Sequence, residues 1–177
     1  MNTTANKITI VRIILVPVFL ILEYMDLNYA AFACFVVACI SDAADGYIAR
    51  HYNQITNFGK FMDPLADKIL VLSAMCVFID KGMMAGWAVA LVLFREFAVS
   101  GLRLIAVEQG RVIAAAKSGK IKTICTMVGL CAMLLFPGIA ALNLAVTWII
   151  LITTVYSGVE YFLVNRDVLK EPVKTED

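Results

Sequence analysis

Four aspartates stand in a strongly apolar part of this 177-residue chain, Asp42 and Asp45 followed by Asp63 and Asp67. An ionised carboxylate at membrane depth is costly, so acids in such a setting mark a functional site, and four that converge need a cation to hold them together. On helices, spacings of three and of four residues each put both members of a pair on one face in successive turns. Hard carboxylate oxygens with no nearby thiolate or imidazole in the pattern select Mg2+ or Mn2+ over zinc. Four acids in a small volume suit two such divalent cations, which can stabilise the charge on a phosphate oxygen and its leaving group; the chemistry indicated is phosphoryl-type transfer. Gly46, Ala49 and Gly59 form a smooth wall that a flat ligand can approach closely, and Arg50 offers a fork to phosphate. His51, beside Arg50, is read as a solvated loop histidine rather than a participant.

Such residues must be held by elements that tolerate hydrocarbon. The chain is 62% apolar and 16% charged, against roughly a quarter charged in a soluble domain. An integral membrane protein follows. A net charge of +1 excludes a bulk nucleic-acid binder, which needs a dense basic surface. Six stretches come near the length of about 20 residues needed to span a bilayer: 8–25, 29–50, 60–79, 85–107, 120–136 and 142–163. Short connections with turn chemistry at 26–28, 80–82 and 136–138 join several of them. The expected fold is all-α with six transmembrane helices, a single domain over 1–169 and a polar tail at 170–177.

With both termini in the cytoplasm, Lys7, Arg12, Arg50, Lys60, Arg111, Lys117, Lys120, Lys122, Arg166, Lys170 and Lys174 lie at cytoplasmic ends or loops, and only Lys81 lies opposite. The aspartates then sit at the cytoplasmic end of the second span and the start of the third. Asp42 and Asp67 are about 12 Å inside those helix ends, within reach of water. Lys68, Arg95 and Arg103 fall within spans, must face the interior or a water-filled cavity, and are candidates for substrate contacts. The five cysteines, Cys34, Cys39, Cys76, Cys125 and Cys131, lie in apolar runs without metal-ligand spacing and read as reduced packing residues. No small-residue cleavage site follows the first apolar run, so a removed signal peptide is not expected.

The pattern Asp42-x-x-Asp45-Gly46-x-x-Ala49-Arg50, eight residues, Gly59-x-x-x-Asp63-x-x-x-Asp67 resembles the complete signature of the CDP-alcohol phosphotransferases. That resemblance implies a CDP-linked donor whose diphosphate is held by metals and attacked by an alcohol, releasing CMP. By family analogy Asp42 and Asp63 bridge both ions, Asp45 completes one site and Asp67 the other, with Asp67 also acting as general base. Asp42, Asp45, Gly46, Ala49, Arg50 and Gly59 are then expected to bind the CDP-lipid, with the two glycines, Ala49 and Arg50 lining its CMP pocket. Homodimers are typical of small members.

Further segments are similar to bacterial phosphatidylglycerophosphate synthases: Phe61 to Lys68, Phe94 to Arg103, Gly119 to Thr123, and Asn6-x-x-Thr9-x-x-Arg12, with Ala5 where those proteins usually have proline. The acceptor so implied is glycerol 3-phosphate, the donor CDP-diacylglycerol, and the location the bacterial cytoplasmic membrane. Candidate contacts to the acceptor phosphate are Arg12, Arg95, Arg103, Lys117 and Lys120, because a phosphorylated acceptor needs cations more than serine or choline would. Glu96 is read chiefly as an ion-pair partner that fixes Arg95. Lys122 belongs to the same basic cluster; Lys117, Lys120 and Lys122 serve either the acceptor phosphate or as positive-inside anchors, Lys122 most plainly as an anchor, and Arg12 either snorkels to headgroups or touches substrate. Trp87 and Trp148 read as interfacial or packing residues. Competing functions are a sibling enzyme, such as a cardiolipin or phosphatidylinositol phosphate synthase, and a cation transporter or channel; the absence of a duplicated half weighs against the latter.

Overall fold

The computed structural model describes residues 4–51, 57–111, 113, 114 and 116–169. For helical residues 4–7, 42–51, 57–61, 63, 64 and 67 it describes the backbone alone. The tail at 170–177 lies outside the described residues.

The described residues form six long helices and no strand: α1 (Thr4–Tyr24), α2 (Asn28–His51), α3 (Asn57–Asp80), α4 (Gly86–Glu108), α5 (Lys117–Leu135) and α6 (Ala140–Val164), followed by a 3-10 turn, Arg166–Leu169. Each matches one predicted apolar stretch, with ends displaced by at most four residues. The first displacement places Ala5 inside the first turn of α1. His51 closes α2 rather than standing in a loop; its side chain is outside the described set. By length and composition α5 and α6 qualify as membrane-crossing helices among the described residues.

Three helices end by the same device. At the end of α4 the Gly110 N–H donates to Val107 O and the Arg111 N–H to Ala106 O, the paired bonds of a Schellman motif, which needs a left-handed residue at its centre. Gly110 supplies it with φ 70°, and Gly82 does the same after α3 with φ 68°. Asp26 takes that place after α1 at φ 56°, a conformation that aspartate tolerates better than most residues with a side chain. The turn chemistry read at 26–28 and 80–82 thus stops α1 and α3.

Packing follows from the apolar faces. α1 lies along α2 and also against α3, α5 lies along α6, and α4 packs on α6. The main core gathers Phe19, Phe35, Leu70, Met75, Phe78, Leu130, Met133 and Ile150, with the Phe19 and Phe35 rings 5.6 Å apart. A smaller cluster of Val99, Leu102, Ala106, Tyr161 and Val168 closes the far end of α4 against α6. α5 and α6 approach closely at Gly129, where a Cβ would stand 2.7 Å from Val146 Cγ1. Small residues at helix contacts are how bundles without a water-driven core gain van der Waals contact.

The cysteines are all free. Cys76 departs from the packing role read for it, since it is exposed on the outside of α3. Trp87 and Trp148 meet edge to face at 6.2 Å, in keeping with a packing role, while each stays more than half exposed.

Candidate active site

Asp42 and Asp45 lie on α2, and Asp63 and Asp67 on α3, each in continuous helix. The backbone therefore gives each pair the shared face expected from its spacing. α2 and α3 pack on one another, and both pairs lie in the halves nearest residues 52–56, which connect the two helices. Gly46, Ala49 and Arg50 ride on α2 and Gly59 on α3. The side chains of Asp42, Asp45, Ala49, Arg50, Asp63 and Asp67 are outside the described set, as is the surrounding of the two glycines. Among the residues that are described, no cluster of three His, Cys, Asp or Glu could hold a metal ion.

Lys68 follows Asp67 directly, and its Nζ donates to Ser100 Oγ on α4 at 2.7 Å. It faces a cavity of about 220 Å³ between α3, α4 and α5, lined at its polar end by Lys68, Glu96 and Lys122 and elsewhere by residues such as Leu65, Ile69, Val92 and Met127. This cavity brings the α3 segment that carries Asp67 beside Glu96 of α4 and Lys122 of α5.

Glu96 organises that polar end. Arg95 Nη1 donates to Glu96 Oε1 at 2.9 Å, and Lys122 Nζ donates to the same oxygen at 2.7 Å. The expected pairing of Glu96 with Arg95 is present, and a second cation joins it. Lys122 is therefore no headgroup anchor: its side chain is only 7% exposed. The error has a simple cause, since a lysine near a helix start looks the same in sequence whether it points outward or across to a carboxylate on another helix. Tolerating it inside the bundle requires the partner that Glu96 provides.

The other described candidates lie on α1, α4 and α5. Arg103 Nε donates to the Tyr161 hydroxyl at 2.9 Å, and its guanidinium carbon lies 5.4 Å from the centre of that ring. Arg103 is nonetheless exposed, so it sits at the bundle surface on an aromatic support and not in the interior. Arg12 is fully buried, which rules out snorkelling to headgroups. Lys117 and Lys120 are exposed at the start of α5.

Sequence reasoning passed over Ser100, Tyr161 and Gly158. Gly158 is buried on α6, and a Cβ built there would stand 3.0 Å from Arg95 Cγ. The only sequence signal was a glycine within an otherwise bulky apolar helix, which marks a close approach without naming what approaches.

A sequence profile described as CDP-alcohol phosphatidyltransferase matches residues 2–156. A Bacillus subtilis protein named CDP-diacylglycerol–glycerol-3-phosphate 3-phosphatidyltransferase is 39% identical, over 93% of this chain and 96% of its own. A Rickettsia typhi protein of the same name is 36% identical, over 92% and 96%. A probable phosphatidylglycerophosphate synthase of Mycobacterium tuberculosis is 36% identical, over 89% of this chain and 78% of its own.

Proposed function

The chain belongs to the CDP-alcohol phosphatidyltransferase family, and we propose that it transfers the phosphatidyl group of CDP-diacylglycerol to glycerol 3-phosphate, giving phosphatidylglycerol phosphate and CMP. The observation that carries this reading is the likeness to the Bacillus subtilis and Rickettsia typhi phosphatidyltransferases over more than nine-tenths of the chain; the cavity that Lys68, the neighbour of Asp67, shares with Glu96 and Lys122 supports it. It sets a phosphate-attracting cluster beside the signature helix.

The donor set suits two divalent cations, Mg2+ or Mn2+: four carboxylates, paired on α2 and on α3, with no softer ligand in the signature. Asp42, Asp45, Asp63 and Asp67 would hold the two ions between them. When bound, the ions supply Lewis-acid stabilisation of the diphosphate and of the departing CMP phosphate. Gly46, Ala49, Arg50 and Gly59 line the CMP pocket, Arg50 as a charged fork and the others as a wall without bulk. The acceptor hydroxyl oxygen bonds to the lipid-side phosphorus, the bond from that phosphorus to the oxygen shared with CMP breaks, and Asp67 takes the hydroxyl proton. Arg95 holds the acceptor phosphate; Arg12, Arg103, Lys117 and Lys120 stand as further candidates.

The same proposal places the six helices across the bacterial cytoplasmic membrane as one domain over 1–169, with both termini and the site on the cytoplasmic side, in a homodimer. The excess of Lys and Arg at that end supports it. The test is CMP release from CDP-diacylglycerol by the purified full chain with Mg2+ or Mn2+, comparing glycerol 3-phosphate with inositol phosphate and phosphatidylglycerol as acceptors. Release that depends on glycerol 3-phosphate is expected. Release only with another acceptor would transfer the chain to a sibling activity.

A further inference from the structure

We propose that Gly158 is a specificity-determining position of the acceptor site, because its missing side chain keeps open the slot in which Arg95 presents one edge of its guanidinium to the acceptor's phosphate. This rests on the phosphatidyl transfer proposed above and deepens it.

Arg95 projects from α4 with its side chain only 13% exposed. Glu96 takes Nη1, while Nε is buried with no hydrogen-bond partner among the described residues. An unpaired buried donor is costly, and on a guanidinium it is worse. Nε and Nη2 form the side-on fork whose two parallel N–H groups match two oxygens of a phosphate. Glu96 thus occupies the end of the head and leaves that fork for a ligand.

Two glycines border the side chain. At Gly119 on α5 a Cβ would lie 3.8 Å from Nη2, an ordinary contact. At Gly158 it would lie 3.0 Å from Cγ and 3.9 Å from Nε, so an added methyl presses on the stem of the arginine. The head is already tied to Glu96, and Glu96 is tied to Lys122 on α5. A displaced stem must therefore tilt the fork, since the head cannot follow it freely. Arg95, Lys122 and Glu96 together carry one surplus positive charge, which favours an acceptor with a phosphate over a neutral alcohol.

The experiment measures CMP release by full-length wild type, G158A and G119A, varying each substrate in turn and recording thermal unfolding. G158A is expected to raise KM for glycerol 3-phosphate about tenfold while kcat, KM for CDP-diacylglycerol and the unfolding midpoint change little, and G119A to stay near wild type. Adding G158A to R95K, which lacks the fork, should cost little more than R95K alone, because Gly158 acts through that fork. An unmoved acceptor KM in G158A, equal losses for both substrates, or fully additive effects with R95K would overturn the proposal. Should G158A fail to fold, R95A/G158A removes the side chain it crowds and must restore folding; a double variant that also fails overturns it. Wild type without turnover on glycerol 3-phosphate would instead strike the parent reading.

Discussion

Among the described residues, Glu23 and Glu96 are held by cations at separate places in this bundle, and the two groups are built differently. Glu23 on α1, only 2% exposed, accepts from Lys81 Nζ at 2.8 Å, and Lys81 also reaches Asp26, which is 84% exposed. Burial would lower the Lys81 pKa, but hydrogen bonds and charge from Glu23 and then Asp26 outweigh it and raise it above the ordinary lysine value. Glu96 on α4 is 20% exposed and accepts from both Arg95 and Lys122. The first group has two acids and one base, with its surplus negative charge on the solvated Asp26. The second has one acid and two bases, with its surplus positive charge inside the bundle beside a cavity. The first surplus is screened by water, whereas the second lies in the low-dielectric interior of the bundle, where an ion of opposite sign would be favoured.

The greatest effect is expected from Glu96→Ala, which leaves Lys122 buried without its partner. About 3 kcal/mol of stability is lost, and kcat/KM for glycerol 3-phosphate falls by more than about 100-fold, read by denaturant unfolding and CMP release. Lys81→Met makes the opposite case: with Glu23 stripped of its cation, stability falls by about 2 kcal/mol, yet both KM values stay at wild type. A shifted acceptor KM in that variant would erase the distinction between the groups. Lys122→Met removes the surplus charge but keeps the Arg95–Glu96 pair, so KM for glycerol 3-phosphate rises by about five- to tenfold with stability held within about 1 kcal/mol. Asp26→Asn touches only a solvated charge and should move the unfolding free energy by less than about 0.5 kcal/mol, with kinetics unaltered.

Much of the architecture was legible in the residues. Six apolar stretches became α1 to α6 because a helix pairs its backbone donors and acceptors within the segment. Asp26 and Gly82 could be read as stops because a left-handed residue ends a helix for local reasons. The aspartate pairs were equally local, since spacing along one helix decides which positions share its face. Lys122 was misread and Gly158 unread for the contrary reason: Lys122 is defined by an oxygen 26 residues away in sequence, and Gly158 by the stem of an arginine on another helix.

By itself, then, the sequence determined the helices, the stops after α1 and α3, and the signature that assigns the family, all of them local properties of the chain. Only the tertiary structure decided which cations are interior, that Arg103 rests on Tyr161 at the surface while Arg95 lies in a slot, and that a glycine on α6 borders that slot. Side-chain direction across helix contacts depends on the rotation and approach of whole helices, which the packing of the entire core sets.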